Sequence, residues 1–299
     1  MTATRRSSVH AFRLGRCDAW SLHDGHFFMA PPMIGRGVSP ELAQRCFGAE
    51  LRPDGQVELQ VNVMLLRWGS ELVLIDAGCG TAFGPTLGFL GARLEEIGVA
   101  PGDVTAVVFT HLHLDHVGGA LDLEARRVRF PRARYLAERA EVAFWRSPQP
   151  DLSGTELPAE RRQRVIDGSQ NALEILGDRL EMFSAGEPLW PGFTSVPLPG
   201  HTPHHTGFLL ENEGERLLNL GDALIDPRLS LRQPELAAAG DIHPEVSVRT
   251  RQQLIAQIRR EHLRTFGVHY PQPGLADAID GARRHGDEAA TVPPATRCA

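Results

Sequence analysis

Four side chains able to hold a metal ion fall within six residues, His111, His113, Asp115 and His116, in the run Thr110-His111-Leu112-His113-Leu114-Asp115-His116. Neutral imidazoles beside a carboxylate suit zinc or a cation of similar borderline character. The run directly follows TAVVF (105–109), a continuous apolar stretch that predicts a short buried strand. Ligands placed just past such a strand lie at a sheet edge, where a cavity can form. A histidine-rich surface loop is the alternative, and the buried strand before it argues against that. Gly118 and Gly119 come next, which lets the backbone turn tightly and approach the metals closely.

The same placement recurs along the chain. Asp76 ends the apolar LVLID, His201 follows SVPLPG, Asp222 follows RLLNLG and His269 follows RTFGV. One such coincidence means little, and for Asp76 a turn-capping carboxylate is a real alternative. Together they predict that several strand ends converge on one site.

The elements that must position these residues follow from hydrophobic periodicity. VELQVNVMLL (57–66) and LVLID (72–76) read as strands joined by a turn around Gly69-Ser70. Further strands are expected at 105–109, 134–137, 194–198, 205–210, 216–220 and 264–268. Helices are expected at 86–99, 138–146, 159–176 and 246–260, with a proline-rich loop over 147–158. Residues 1–50 are mixed and give no clear element. Strands in two groups with helices near each predict an α/β fold of two sheets face to face, helices outside. No linker divides the chain, so 1–299 is expected to be a single domain, with a polar tail after about 281 only partly ordered.

Composition narrows the function. The chain has 299 residues, of which 42% are hydrophobic, which excludes disorder as the main state. Its apolar runs are too short to span a membrane. The N-terminal segment lacks the apolar core of a secretory signal, so a cytoplasmic location is expected. A net charge of −6 offers no basic footprint for nucleic acid. All 31 basic residues are arginine, which excludes chemistry that needs a lysine. Cys17, Cys46, Cys79 and Cys298 are too far apart for a zinc knuckle and are read as plain thiols. No Gly-x-Ser-x-Gly nucleophile elbow is present.

On THLHLDH (110–116), GHTPHH (200–205), Asp222 in LGDA and His269, in that order, the chain resembles the metallo-β-lactamase fold superfamily. FGPTLG (83–88) and HYPQPG (269–274) look most like its methyl parathion hydrolase-like branch. The resemblance implies a four-layer αββα sandwich and two divalent metal ions, zinc first, with manganese, iron or cobalt as alternatives. His111, His113 and His201 would hold one ion. Asp115, His116 and His269 would hold the other, with Asp222 bridging and Asp76 orienting an imidazole. It further implies a hydrolase in which a metal-bridging hydroxide cleaves a small, largely apolar ester, lactone or phosphotriester. Asp115 and Asp222 are then the catalytic carboxylates. A β-lactam, thioester or other acyl hydrolase, or a non-hydrolytic iron oxidoreductase of the same fold, are the other readings. One departure stands out: His204 replaces a glycine common in the family, while His205 matches a supporting histidine.

The expected partner is a small molecule, not nucleic acid or membrane. Phe27–Met33, Phe83, and Ala223, Leu224, Ile225, Pro227, Leu229 and Leu231 are expected to wall an apolar pocket with few charges. Phe27–Met33 serves equally well as core or as a homodimer contact. Acyl-homoserine lactonases of the superfamily tend to carry a tyrosine three residues after the bridging aspartate, where this chain has Ile225. Tyr270 neighbours His269 and is expected to point away from it.

Overall fold

The computed structural model describes residues 8–277, so Cys298 and the expected tail lie outside the described residues. The first sheet begins with β1 (Val9–Leu14), β2 (Cys17–Met29), β3 (Val57–Trp68) and β4 (Glu71–Ile75), each antiparallel to the next. Short helices α1 (Pro31–Ile34) and α2 (Pro40–Phe47) lie in the chain between β2 and β3. After helix α3 (Leu90–Glu96) the chain enters β5 (Ala106–Val108), parallel to β4. The turn of helix α4 (Leu114–Val117) and a small ribbon of β6 (Leu121–Asp122) and β7 (Arg127–Val128) lead to β8 (Arg134–Glu138). That strand is parallel to β5. Helices α5 (Arg139–Arg146) and α6 (Ala159–Leu176) precede β9 (Leu180–Phe183), which closes the sheet beside β8.

The second sheet is built from β10 (Pro188–Trp190), β11 (Phe193–Pro197), β12 (Thr206–Asn212), β13 (Glu215–Asn219), β14 (Arg264–Phe266) and β15 (Leu275–Ala276), in that spatial order. Helices α7 (Pro227–Ser230) and α8 (Pro244–Glu261) lie between β13 and β14 in the chain, and these two strands are parallel.

Alternation along the strands makes the layers. In β4, Leu72 and Leu74 face the helices α3, α5 and α6, while Val73 and Ile75 face the other sheet. In β13, Leu217 joins the core between the sheets, and Leu218 packs on Leu254, Ile255 and Ile258 of α8. The buried positions of α6, Ser169, Ala172, Leu173 and Leu176, follow helical spacing. The result is the expected αββα order, and the expected two groups of strands are the two sheets.

Two sequence expectations need correction. The expected helix over 86–99 shortens to Leu90–Glu96, because β2 holds the residues before it as a loop. The His26 amide donates to Thr86 O at 3.0 Å, and Gly88 and Leu90 donate to the Asp24 carboxylate. Residues 1–50, read as mixed, contain β1 and the 13-residue β2. β2 is hard to see in the sequence because a bulge at Asp24 breaks its alternation between His23 and Gly25.

Among the described residues Cys17, Cys46 and Cys79 are buried and unbridged. No helix among them is long and apolar enough to cross a membrane.

Candidate metal centre

The strand ends do converge. β4 delivers Asp76, β5 delivers the 110–116 run, the β11–β12 loop delivers His201, and β13 and β14 deliver Asp222 and His269. The side chains form two groups whose ligand-type atoms lie within 4.8 Å of one another: His111, His113 and His201, then Asp115, His116, Asp222 and His269. In the first, His113 Nδ1 lies 3.0 Å from His111 Nε2 and 3.1 Å from His201 Nε2. In the second, Asp115 Oδ2 is 3.5 Å from His269 Nε2. Asp222 stands between them. One of its oxygens is 3.3 Å from His116 Nε2; the other is 3.3 Å from His201 Nε2 and 3.5 Å from His269 Nε2.

Except at His113, the outer ring nitrogens are committed elsewhere. His116 Nδ1 meets Asp76 at 2.9 Å, His201 Nδ1 meets Asp241 at 3.0 Å, and His269 Nδ1 donates to Gln60 O at 2.8 Å. Thr110 Oγ1 donates to Asp76 and stands 3.1 Å from His111 Nδ1. Each of these imidazoles, when neutral, therefore turns an Nε2 lone pair inward. Lone pairs that face a carboxylate at 3.3 Å repel unless positive charge lies between them. Buried His116 Nε2 and Asp222 Oδ1 indeed have no hydrogen-bond partner. The donor set therefore fits a pair of divalent cations.

The electrostatics agree. Burial holds His111 well below the usual histidine range and takes His113 down to about 3. These rings are neutral donors. Burial also works against charge on His269, but Asp222 and Asp115 outweigh it and lift that group to about 10. Burial would raise Asp115, yet the His116 and His269 imidazoles hold it below the carboxylate range. The acidic half of the site thus demands positive charge, which protons or metal ions can supply.

Asp76 sits at the end of β4 with φ 59°, a left-handed conformation uncommon for a residue with a side chain. That turn aims its carboxylate at the Thr110 amide, 2.8 Å away, as well as at His116. The expected orienting role is therefore visible in its contacts, and it goes beyond turn capping. His205 is the expected support: its Nε2 accepts from the Asp222 amide at 2.9 Å and its Nδ1 meets Leu198 O. His204 is exposed. Gly118 and Gly119 approach a neighbouring backbone rather than the metal groups. A Cβ on Gly119 would fall 1.9 Å from Ala77 O, and one on Gly118 would fall 2.4 Å from Cys79 O.

Four supporting residues have no sequence signature. Asp241 fixes His201 and itself accepts from the Ala238 amide and lies 3.4 Å from buried Arg251. Asn62 donates to Val268 O and Tyr270 O, on either side of His269. Buried Glu141 accepts from Leu112, Trp145 and Thr202. Asp24 accepts from the amides of Cys79, Gly88 and Leu90, and burial still pushes it up to about 6.

A cavity of about 760 Å³ opens onto both groups and is lined by His113, Asp115, His201, Asp222 and His269. Phe27, Met29, Met33, Phe83 and Ile225 form the expected apolar wall. Phe27 stacks edge-on to Phe83 at 5.4 Å and stands 6.2 Å from the His269 ring. Ala223, Leu224 and Leu229 are instead core, and Phe28 points outward under Arg52. The wall is also less apolar than expected, because α6 adds Arg161, Arg164 and Asp167. Tyr270 is buried against α8, and Tyr135 donates to Phe130 O, so neither phenol reaches the cavity.

A family model described as the metallo-beta-lactamase superfamily matches residues 57–269. The N-acyl homoserine lactonase AttM of Azorhizobium caulinodans is 30% identical over 140 residues, 44% of this chain and 46% of that protein. The chain spans about half the length of the curated relatives it matches. Among solved structures, AidC, a dizinc quorum-quenching lactonase in complex with a product, is 25% identical with a TM-score of 0.84. That match covers 91% of this chain and 93% of the other. The hydrolase AbOPH is also 25% identical, with a TM-score of 0.83 over 92% and 94% of the two chains.

Proposed function

The chain belongs to the metallo-β-lactamase superfamily, and from that premise we propose that it is a two-metal hydrolase of small, largely apolar esters, lactones or phosphotriesters. The observation that carries this reading is the pair of ligand groups joined through Asp222 at the floor of one cavity. His111, His113 and His201 would hold one ion, and Asp115, His116 and His269 the other, with Asp222 shared. Bound there, the ions would make water a nucleophile near neutral pH and polarise the oxygen of the scissile carbonyl or phosphoryl group.

The chain's own residues supply the rest. Asp76, Asp241, Gln60 and Thr110 fix the imidazoles, so little reorganisation is needed when charge develops. Asp115 lines the cavity and is partly exposed. Kept ionised by the His116 and His269 imidazoles, it is the carboxylate placed to accept a proton from the attacking water and pass it to the leaving group. Phe27, Met29, Met33, Phe83 and Ile225 displace water from the substrate's apolar part, which strengthens the polar interactions at the floor.

Protein purified without chelator should contain two equivalents of zinc, manganese, iron or cobalt per chain by elemental analysis, as two ligand groups require. A firm value of one at full activity would overturn the two-metal reading. A hydrolysis panel of esters, lactones and phosphotriesters on metal-reconstituted protein tests the activity itself.

The named lactonases among the relatives support the lactone part of that substrate class. The cavity wall then sets the order within it. With Ile225 in the wall and both tyrosines elsewhere, no phenol can donate to a lactone carbonyl. That loss matters least for substrates with good leaving groups. We expect a higher kcat/KM for aryl esters or aryl phosphotriesters than for acyl-homoserine lactones on the same preparation. A long-chain acyl-homoserine lactone favoured by about tenfold or more, some 1.4 kcal/mol in barrier, would refute the argument from the missing phenol.

A further inference from the structure

We propose that Glu141 is a positioning residue that sets the geometry of the His111, His113 and His201 group from behind, by tying together the two loops that carry it. The proposal rests on the reading of that group as a metal site. Glu141 lies on α5, is 1% exposed, and touches neither the cavity nor a ligand atom. Its Oε1 accepts from the Leu112 amide at 3.2 Å and from Trp145 Nε1 at 2.7 Å. Its Oε2 accepts from Thr202 Oγ1 at 2.7 Å.

Leu112 lies between His111 and His113, and Thr202 directly follows His201. The two loops come from different sheets, one after β5 and one after β11. A carboxylate fixed to both sets the distance between them. His113 depends on this most. Every other histidine of the two groups has a hydrogen bond on its outer nitrogen, whereas His113 Nε2 is buried with no partner. Its ring is held instead by the backbone at Leu112 and by Trp145, whose ring stands edge-on at 5.5 Å. Glu141 bonds to both.

Burying a carboxylate is costly, and a leucine would avoid that cost only by leaving the Leu112 amide, Trp145 Nε1 and the Thr202 hydroxyl without a partner. What the acid adds is three directed bonds. The second ligand group depends on them less, because Asp76, His205 and Gln60 hold His116, Asp222 and His269. The expected effect therefore falls first on one ion.

The test uses the full chain loaded with cobalt(II), as wild type, Glu141→Leu, Glu141→Gln and Thr202→Val. Metal content is read after dialysis against graded chelator, with the cobalt visible absorption and the metal-free melting temperature alongside. Glu141→Leu should release one ion of the two at chelator concentrations about 10–100-fold lower, with a changed visible spectrum. Glu141→Gln should stay near wild type. Its amide oxygen still accepts from Leu112 and Trp145, and the Thr202 hydroxyl can turn to accept from its NH2. Thr202→Val should release the same ion by a smaller margin.

Glu141→Leu that keeps both ions at wild-type affinity, or loses both together in step with a fallen metal-free melting temperature, overturns the proposal. If Glu141→Leu does not fold, unchanged chelator resistance in Thr202→Val overturns it. Wild type that binds no cobalt would instead overturn the metal-site reading beneath it.

Discussion

Asp222→Asn is expected to lower turnover by about 10²-fold or more and to reduce metal content at the same time. The Asp222 carboxylate lies within 3.5 Å of imidazole nitrogens of both groups, His201 on one side and His116 and His269 on the other. A histidine such as His113 serves one group, so its loss should cost less. Asparagine keeps the shape but removes the charge that does most to raise the cation demand at His269 and His116. Burial opposes charge on both rings, and Asp222 is the first contribution that overcomes it. The asparagine NH2 would also point a donor where two cations are expected. The fold should survive, because the Asp222 amide stays anchored on His205 Nε2. Elemental analysis and kcat/KM on one preparation decide the matter. Unchanged turnover in fully metallated protein would refute the shared-ligand role.

What the sequence revealed about this site, and what it hid, follows from how each residue acts. A metal site calls for particular side chains at strand ends, so the candidates His111, His113, Asp115, His116, His201, Asp222 and His269 stand out one by one. The structure brings all seven together. The residues behind them act through hydrogen bonds between segments far apart in the chain. Glu141 is 61 residues from Thr202, and Asn62 is 206 from Val268. No local pattern marks such partners. The elements divide in the same way. β3, β4, α5, α6 and α8 have clean periodicity and fall close to where their patterns put them. β2 escapes a periodicity reading because its bulge at Asp24 serves the 79–90 loop instead of the sheet. The cavity wall was half legible. Phe27 and Phe83 are flagged by type, but Arg161 and Arg164 reach the cavity from α6, which lies against Leu114 at Gly168, a long-range placement no local pattern marks. A Cβ on Gly168 would fall 2.6 Å from the Leu114 side chain.

Gly119→Ala should cost about 3 kcal/mol of stability, roughly 6–12 °C in melting temperature for a chain of this size, and most of the activity. The added methyl would fall 1.9 Å from Ala77 O, and the obstacle is backbone, not a side chain that can swing aside. Segments 77–79 and 116–119 are zipped together by the Ala77 amide on His116 O at 2.7 Å and the Gly119 amide on Gly78 O at 2.9 Å. Neither segment is free to retreat. Cys79 is held by Asp24, and Asp76 by Thr110. Restoring contact distance needs a shift of more than about 1 Å, and a misplacement of that size can cost about 10²-fold in rate. The shift would fall on the hydrogen bond between Asp76 and His116, and so on one ligand group before the other. Gly91→Ala is the control. It lies in α3 with nothing within 4 Å of an added methyl and an ordinary backbone, so it should leave activity intact and raise stability by up to about 1 kcal/mol. Gly119→Ala with wild-type melting temperature and full activity would mean that the two segments can part without disturbing the site, and the zipper would then be packing alone.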